Sequence, residues 1–373
     1  MYRIGFDAKR AFRNFTGLGN YSRTLIDSLS KFYPSNEYLL YTPPYKDHPA
    51  LSFASQPNVK IITPSGIDAF FHSRWRTKGI TDLLNQENPD LYHGLSGELP
   101  AGKCKVPMIV TIHDAIFMRF PGHYKAIDRF LYEKKQTYAC KKADKIIAIS
   151  RQTADDAIKF FDADPAKIEV IYQSCDKSFG KSITEDEMRT VKARYSLPDR
   201  FILAVGRVEE RKNLHNIVRA LSLVPNDIKL VSLGRLTPYH KRVVREIEEY
   251  GLADRVKFIT NGSFADFPAI YKLSEMLVYA SLFEGFGIPV LEAVTVGTPV
   301  ITSAVSSMPE VGGEAVLYTD PLNYLEIAEK INLCLSSPTL REEMVAKGLE
   351  NAGTFSHDKI INQVYDLYKT ILK

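Results

Sequence analysis

The sequence has no apolar run approaching the roughly 18 residues that a membrane-spanning helix requires. It has 4 cysteines in 373 residues, Cys104, Cys140, Cys175 and Cys334. They stand too far apart for a metal knuckle or redox pair, which argues against a disulfide framework and points to a reducing, cytoplasmic setting. A dinucleotide fingerprint is missing: "TGLGNYS" begins as one and fails at Ser22, where the third glycine would stand. No His, Cys, Asp or Glu set has metal-ligand spacing, so no metal is expected. The N-terminus "MYRIGFDAKR" enters a strand-like run without an apolar leader. The net charge of +4 is small and no RNA-binding motif is present, which disfavours a nucleic-acid partner.

What is there has a globular composition, 45% hydrophobic and 25% charged. The length accommodates two domains with large cores. Positive charge is concentrated locally, since residues 103–151 hold 11 basic and 4 acidic side chains. Aromatic residues are interleaved through the same stretch. Its basic helical face could be ordinary solvated surface, or it could lie against anionic lipid through segment 117–145.

Short β-branched runs alternate with amphipathic segments of helical length, the βαβ pattern of parallel sheets covered by helices. Strands are expected at 3–7, 37–42, 59–63, 91–94, 108–113, 145–150 and 169–174. A polar stretch, 176–200, breaks the rhythm and reads as a linker and lead-in to a second domain. The pattern restarts with strands at 201–206, 229–234, 256–260, 276–280, 299–303 and 316–318. The expected fold is α/β, two Rossmann-like doubly wound domains facing a cleft, with ligands beyond the carboxyl ends of the strands.

Four stretches can carry chemistry. In "VGRVEERKNLHNIV" a strand ends at Gly206, Arg207, Arg211 and Lys212 follow, and Asn213 can cap a helix. Cations beside a helix N-terminus suit a diphosphate, and a basic surface loop would read the same way. In "TGLGNYSRTL", Gly17 and Gly19 precede a helix and would let the backbone approach an anion or sugar, or simply form a turn. In "VTIHDAIF", His113 sits at a strand end, where it could donate to a hydroxyl or shuttle a proton, or be structural. In "FEGFGIPVLEA", Glu284 precedes a glycine turn and Glu292 falls about one turn into a helix that starts near Pro289. Two such carboxylates can accept from the vicinal diols of a hexose and a ribose, or be solvated charges.

Taken together, Gly206-Arg207, Lys212-Asn213 and the Glu284–Glu292 block, with "TGLGNY", "TIHD" and "SSMPEVGG" in the same order, resemble the retaining glycosyltransferases of family four, which have the GT-B fold. The opening "IGFDAKR…TGLGNY" is most similar to the mannosyltransferase-B-like branch that builds bacterial surface polysaccharide. The resemblance implies an acceptor-binding domain, 1–178, a donor-binding domain, 179–354, and a helix, 355–373, crossing back onto the first. It implies that Arg207 and Lys212 hold the donor diphosphate. Glu284, with backbone N–H groups at Phe286, Gly287 and Ile288, would meet the transferred sugar. Glu292 would bind ribose and Phe264 would lie against the base. Gly17 and Gly19 would approach phosphates or acceptor, and His113 the transferred sugar. Relatives often have an Asn-Gly or Asn-Pro turn where this chain reads "YQSCD". The expected substrate is a nucleotide sugar, with GDP-mannose favoured by the branch resemblance and UDP- and ADP-sugars left open, used without a cofactor and with a saccharide or lipid-linked acceptor. A nucleotide-sugar hydrolase or epimerase, and a non-catalytic nucleotide-sugar-binding protein, remain alternative readings.

Overall fold

The computed structural model describes residues 1–65 and 74–372. They form two compact units, one of Met1–Gln173 with Asp358–Lys373 and one of Ser174–His357. In the first unit the strands are β1 (Arg3–Asp7), β2 (Glu37–Tyr41), β3 (Val59–Ile62), β4 (Leu91–Gly94), β5 (Met108–Ile112), β6 (Lys145–Ala148) and β7 (Ile168–Val170). They pair in parallel in the order β3-β2-β1-β4-β5-β6-β7. In the second unit β8 (Phe201–Val205), β9 (Lys229–Leu233), β10 (Val256–Ile259), β11 (Met276–Tyr279), β12 (Val300–Ser303) and β13 (Leu317–Thr319) pair in the order β10-β9-β8-β11-β12-β13, again in parallel. Every expected strand is present, most ending earlier than read.

The central strands are largely apolar because both sheet faces are covered, and in "MIVTI" of β5 every residue is buried, whereas the edge strands β3, β7 and β10 are partly exposed. Each sheet reverses its strand order once, between β1 and β4 and between β8 and β11. At such a reversal the connections leave in opposite directions and open a crevice at the carboxyl edge.

The chain crosses between units twice, at 173/174 and 357/358. The first crossing lies ahead of the expected 178/179, because Phe179 is buried 5.5 Å from the Tyr271 ring of the second unit. The linker reading of 176–200 is also corrected. The stretch contains the helix Glu185–Tyr195, opened by a Thr184–Glu187 capping box and packed on the helix Phe267–Leu273. Its polar composition belongs to the helix's solvent face. The two crossings meet, with Ser174 Oγ 3.1 Å from His357 Nδ1.

The last helix, His357–Ile371, completes the first unit's core with Ile361, Val364 and Tyr368. Tyr368 Oη lies 2.6 Å from His93 Nδ1, and the other ring nitrogen is 2.8 Å from Thr111 Oγ1. Burial pushes His93 down to about 3, so it stays neutral inside this network.

Gly17 and Gly19 differ from the expectation of a loop before a helix, since both lie in the first turn of the helix Gly17–Phe32. A Cβ on Gly19 would stand 1.6 Å from the Asn14 carbonyl oxygen, so its smallness serves chain packing rather than ligand approach. Gly17 has open space around it.

The basic aromatic stretch forms the helix Ala126–Lys142, with Ile127 67%, Phe130 51% and Leu131 47% exposed. Among the described residues no helix is long and apolar enough to cross a membrane.

Candidate active site

At the reversal of the second sheet, β8 ends and the chain turns through Gly206 at φ +129°. A Cβ there would press to 3.2 Å from Lys212 Cε, so glycine lets the lysine stem fold back over the strand end. The loop closes through a 3₁₀ turn, Glu210–Lys212, into Asn213 and the helix Leu214–Leu221. Asn213 does not cap this helix with its side chain, as the sequence suggested. It is left-handed at φ 59°, and its amide donates to the carbonyls of Ala280 at 2.9 Å and Pro321 at 2.6 Å. The asparagine thus ties the cationic loop to the chain leaving β11.

That second chain brings Glu284. Its Oε1 accepts from Lys212 Nζ at 2.6 Å and lies 2.7 Å from Arg211 Nη1. Lys212 also donates to the Tyr279 hydroxyl, and Arg211 donates to the Phe283 carbonyl at 2.6 Å and pairs with Glu209 at 2.7 Å. Burial alone would raise the Glu284 carboxyl, yet Lys212 and Arg211 overcome it and hold the group at about 2. Burial lowers the Lys212 ammonium, against the pull of Glu284. The result is a desolvated cation–carboxylate cluster at the crevice.

Arg207 is not part of it. Its side chain is 64% exposed and comes no closer to Glu209 than 3.9 Å. Arg211, one of the loop cations suited to a diphosphate, is the arginine that joins the cluster. Tyr279 is the last residue of β11. Nothing local in the sequence signals the Arg211–Glu284 contact, which joins residues 73 positions apart.

The "SSMPEVGG" stretch braces the loop. Ser306, strained at φ 53°, accepts from the Glu284 N–H at 3.0 Å. Ser307 Oγ donates to the Phe286 carbonyl at 2.6 Å and lies 3.0 Å from that of Glu284. Phe286 is buried against Phe355, and Gly287, at φ +122°, opens the helix Ile288–Val296. First-turn N–H groups of a helix look outward from its end, which suits an electronegative ligand.

Glu292, in the second turn of this helix, is 6% exposed and accepts from the Tyr271 hydroxyl at 2.6 Å. Burial, reinforced by Asp176, pushes its carboxyl up to about 7 against the Tyr271 hydrogen bond and Lys212. Tyr271 meets Phe179 edge-on, and Phe179 packs 5.9 Å from Phe264, whose ring is 39% exposed. One aromatic series therefore runs from the buried carboxylate to an exposed ring face.

In the first unit His113 follows β5. Its Nε2 lies 2.8 Å from the Leu95 carbonyl oxygen, which can only accept, so Nε2 bears the proton. Burial holds the ring down at about 4, so it is neutral and Nδ1 is a lone-pair acceptor. The expectation of a donor or proton shuttle is corrected to an acceptor. Tyr21 fixes the ring edge-on at 4.7 Å. Among the described residues no group of His, Cys, Asp and Glu is arranged to hold a metal ion.

Known proteins share this arrangement of sequence. Residues 188–351 match the family described as Glycosyl transferases group 1, and residues 15–179 match Glycosyltransferase Family 4. The chain is 26% identical to O-antigen chain mannosyltransferase B of Escherichia coli over 375 aligned positions, 95% of this chain and 96% of that one. It is 28% identical to the serotype-specific mannosyltransferase WbdA of Escherichia coli over 267 residues, 69% of this chain but only 33% of WbdA. The crystal structure of Anabaena Alr3699/HepE in complex with UDP and glucose superposes with a TM-score of 0.78 at 19% identity, covering 99% of this chain and 100% of that one. With two parallel Rossmann-like sheets and a family match in each half, the chain belongs to the family-four, group 1 glycosyltransferases of GT-B fold.

Proposed function

We propose that this protein transfers a mannosyl group from GDP-mannose to a saccharide or lipid-linked saccharide acceptor of bacterial surface polysaccharide, retaining the anomeric configuration. The observation that carries the reading is the buried Lys212–Glu284–Arg211 cluster at the reversal of the second sheet. Fixed cations there stabilise the charge that develops on a leaving diphosphate, with no reorganisation during the reaction. Lys212 faces the diphosphate, and Arg207 folds in from solvent beside it. Glu284, with the N–H groups of Phe286, Gly287 and Ile288, orients the hexose. Glu292 takes the ribose diol, and the exposed face of Phe264 takes the base. Within the first unit, His113 Nδ1 offers an acceptor to a sugar hydroxyl, and Gly17 has open space at a helix start.

The proton of the acceptor hydroxyl passes to the departing phosphate oxygen on the face where the new bond forms. Glu284 is an unsuitable covalent nucleophile because two cations already occupy Oε1 and hold its basicity low. A single-step route therefore fits better than double displacement, which needs a free carboxylate under the anomeric carbon. The mannosyl preference is drawn from the named relatives, and the UDP complex of the HepE protein makes UDP the competing nucleotide.

Calorimetric titration with GDP, UDP and ADP tests the donor site. GDP is expected to bind tightest, and Glu292→Ala to weaken it at least tenfold. Failure of all three nucleotides at millimolar concentration would overturn the donor site. Full turnover without added saccharide would identify a hydrolase instead.

The exposed Ile127, Phe130 and Leu131 on the basic helix Ala126–Lys142 form part of this reading, as the contact of segment 117–145 with an anionic membrane surface. Co-sedimentation with vesicles rich in anionic lipid is expected at low salt and should weaken as salt screens the charges. Absence of binding at low salt removes the membrane contact.

A further inference from the structure

The helix Glu185–Tyr195 buries Val191 alone, so it adds little to the core of the second unit. Its last two residues reach elsewhere. Arg194 Nη1 donates to both oxygens of Asp266, at 2.7 and 2.6 Å, and the Tyr195 hydroxyl donates to Asp266 Oδ2 at 2.7 Å. The same hydroxyl accepts from the Ser263 N–H at 3.0 Å. A phenol has one proton to give and an oxygen that accepts, so Tyr195 uses both capacities here. Burial, reinforced by Asp266, raises the phenol above its ordinary 10.0 and keeps that proton in place.

The two partners of Tyr195 stand on either side of Phe264. Ser263 precedes the 3₁₀ turn Phe264–Asp266, and Asp266 ends it. One hydroxyl therefore ties the entrance of the turn to its exit, in parallel with the Asp266 N–H, which donates to the Ser263 carbonyl at 3.0 Å. Asp266 also stands at the N-cap of the helix Phe267–Leu273, where an aspartate ordinarily accepts from a first-turn N–H. Its carboxylate makes no such cap, and is turned instead to Arg194 and Tyr195. The chain gives up a helix cap to hold the turn from outside. The Phe264 ring leans on Phe179 at 5.9 Å and on Phe267 at 5.4 Å. Those rings support its back, while Tyr195 sets the backbone from which it projects.

We propose that Tyr195 is a positioning residue for the nucleobase: its hydroxyl fixes the turn so that the exposed face of Phe264 meets the base at a set height and tilt. Arg194 serves it by holding Asp266 in place. The proposal rests on the reading of Phe264 as the base contact and adds what holds that contact. Every base has a π-face, so the hydroxyl acts on the strength of nucleotide binding and not on the choice of base.

The test is a double-mutant cycle of Tyr195→Phe and Phe264→Ala, read by calorimetric titration of the full chain with GDP and with UDP. Phe264→Ala is expected to weaken the nucleotide that binds by about tenfold. Tyr195→Phe keeps the ring and loses only the hydroxyl, and should weaken binding about fivefold, with circular dichroism unchanged. In the Phe264→Ala background the same change should cost less than about twofold, because the residue acts through a ring that is no longer there. A merely structural role would weaken binding equally in both backgrounds, so additive losses overturn the proposal, and so does unchanged affinity in Tyr195→Phe. If Phe264→Ala binds like the wild type, the base contact lies elsewhere and the proposal falls with it, while weakened binding in Glu292→Ala would leave the donor site standing. Binding of neither nucleotide by the wild type overturns this proposal together with the donor-site reading.

Discussion

Lys212→Ala is expected to lower turnover at least about a hundredfold while the protein stays folded. A preorganised group aimed at developing charge is typically worth ~2.7–4 kcal/mol of transition-state stabilisation. The fold should survive because Glu284 keeps its second cation, Arg211, at 2.7 Å. Truncating Glu284 instead would leave Lys212 buried without a carboxylate and Arg211 with Glu209 alone, and so confound chemistry with stability. Steady-state kinetics beside a thermal melt check the outcome. A near-native rate at native melting temperature would take Lys212 out of the reaction. The same comparison at Arg207→Ala separates the two cations: Arg207 is exposed, so a comparable loss there would mean that donor binding draws it in.

Glu292→Gln is expected to make the protein more stable and a poorer nucleotide binder. The carboxyl is held at about 7 in the fold against its ordinary 4.5, chiefly by burial. A raised carboxyl binds its proton more tightly folded than unfolded. Its favourable contribution is full below about 4.5 and is lost as pH rises through 7. At pH 8 the wild type therefore has a buried carboxylate that glutamine would spare, a difference of up to about 3 kcal/mol. At pH 4 the gap should close, since both side chains are then neutral. Urea denaturation of both proteins at the two pH values reads this directly, and a gap independent of pH would show that Glu292 does not titrate as described. Function runs the other way. Only the carboxylate can accept both hydroxyls of a diol strongly, so wild-type nucleotide affinity should fall from pH 8 to pH 6, and that of the variant should stay flat.

The sheets were legible because buried parallel strands are written as short apolar runs, and runs such as "MIVTI" and "FILAV" have few other fates in a chain this polar. The carboxylate pair and the cationic loop were legible because each sits at a strand end followed by a helix start. What stayed hidden was pairing at a distance. Arg211 and Arg207 look equivalent in "GRVEERKN", and only the approach of the β11 loop decides which one turns inward. His113 invited an acid–base reading because its nearest partner, the Leu95 carbonyl, comes from the end of the neighbouring strand. Gly19 looked like a ligand loop because packing against Asn14 needs the same small residue as a close-approaching anion. The stretch 176–200 looked like a linker because a helix with one buried residue, Val191, has the composition of a loop.

The return of the last helix to the first unit has a bearing on how the chain is made. Tyr368, Val364 and Ile361 complete a core whose other members begin at Ile4. A ribosome adding roughly 5–20 residues per second presents that core with this wall only after the whole second unit has been made. The second unit, Ser174–His357, is continuous in sequence and can close as soon as it emerges. The earliest strands therefore wait for the segment from Asp358 onward, which is made after a domain that can fold ahead of them.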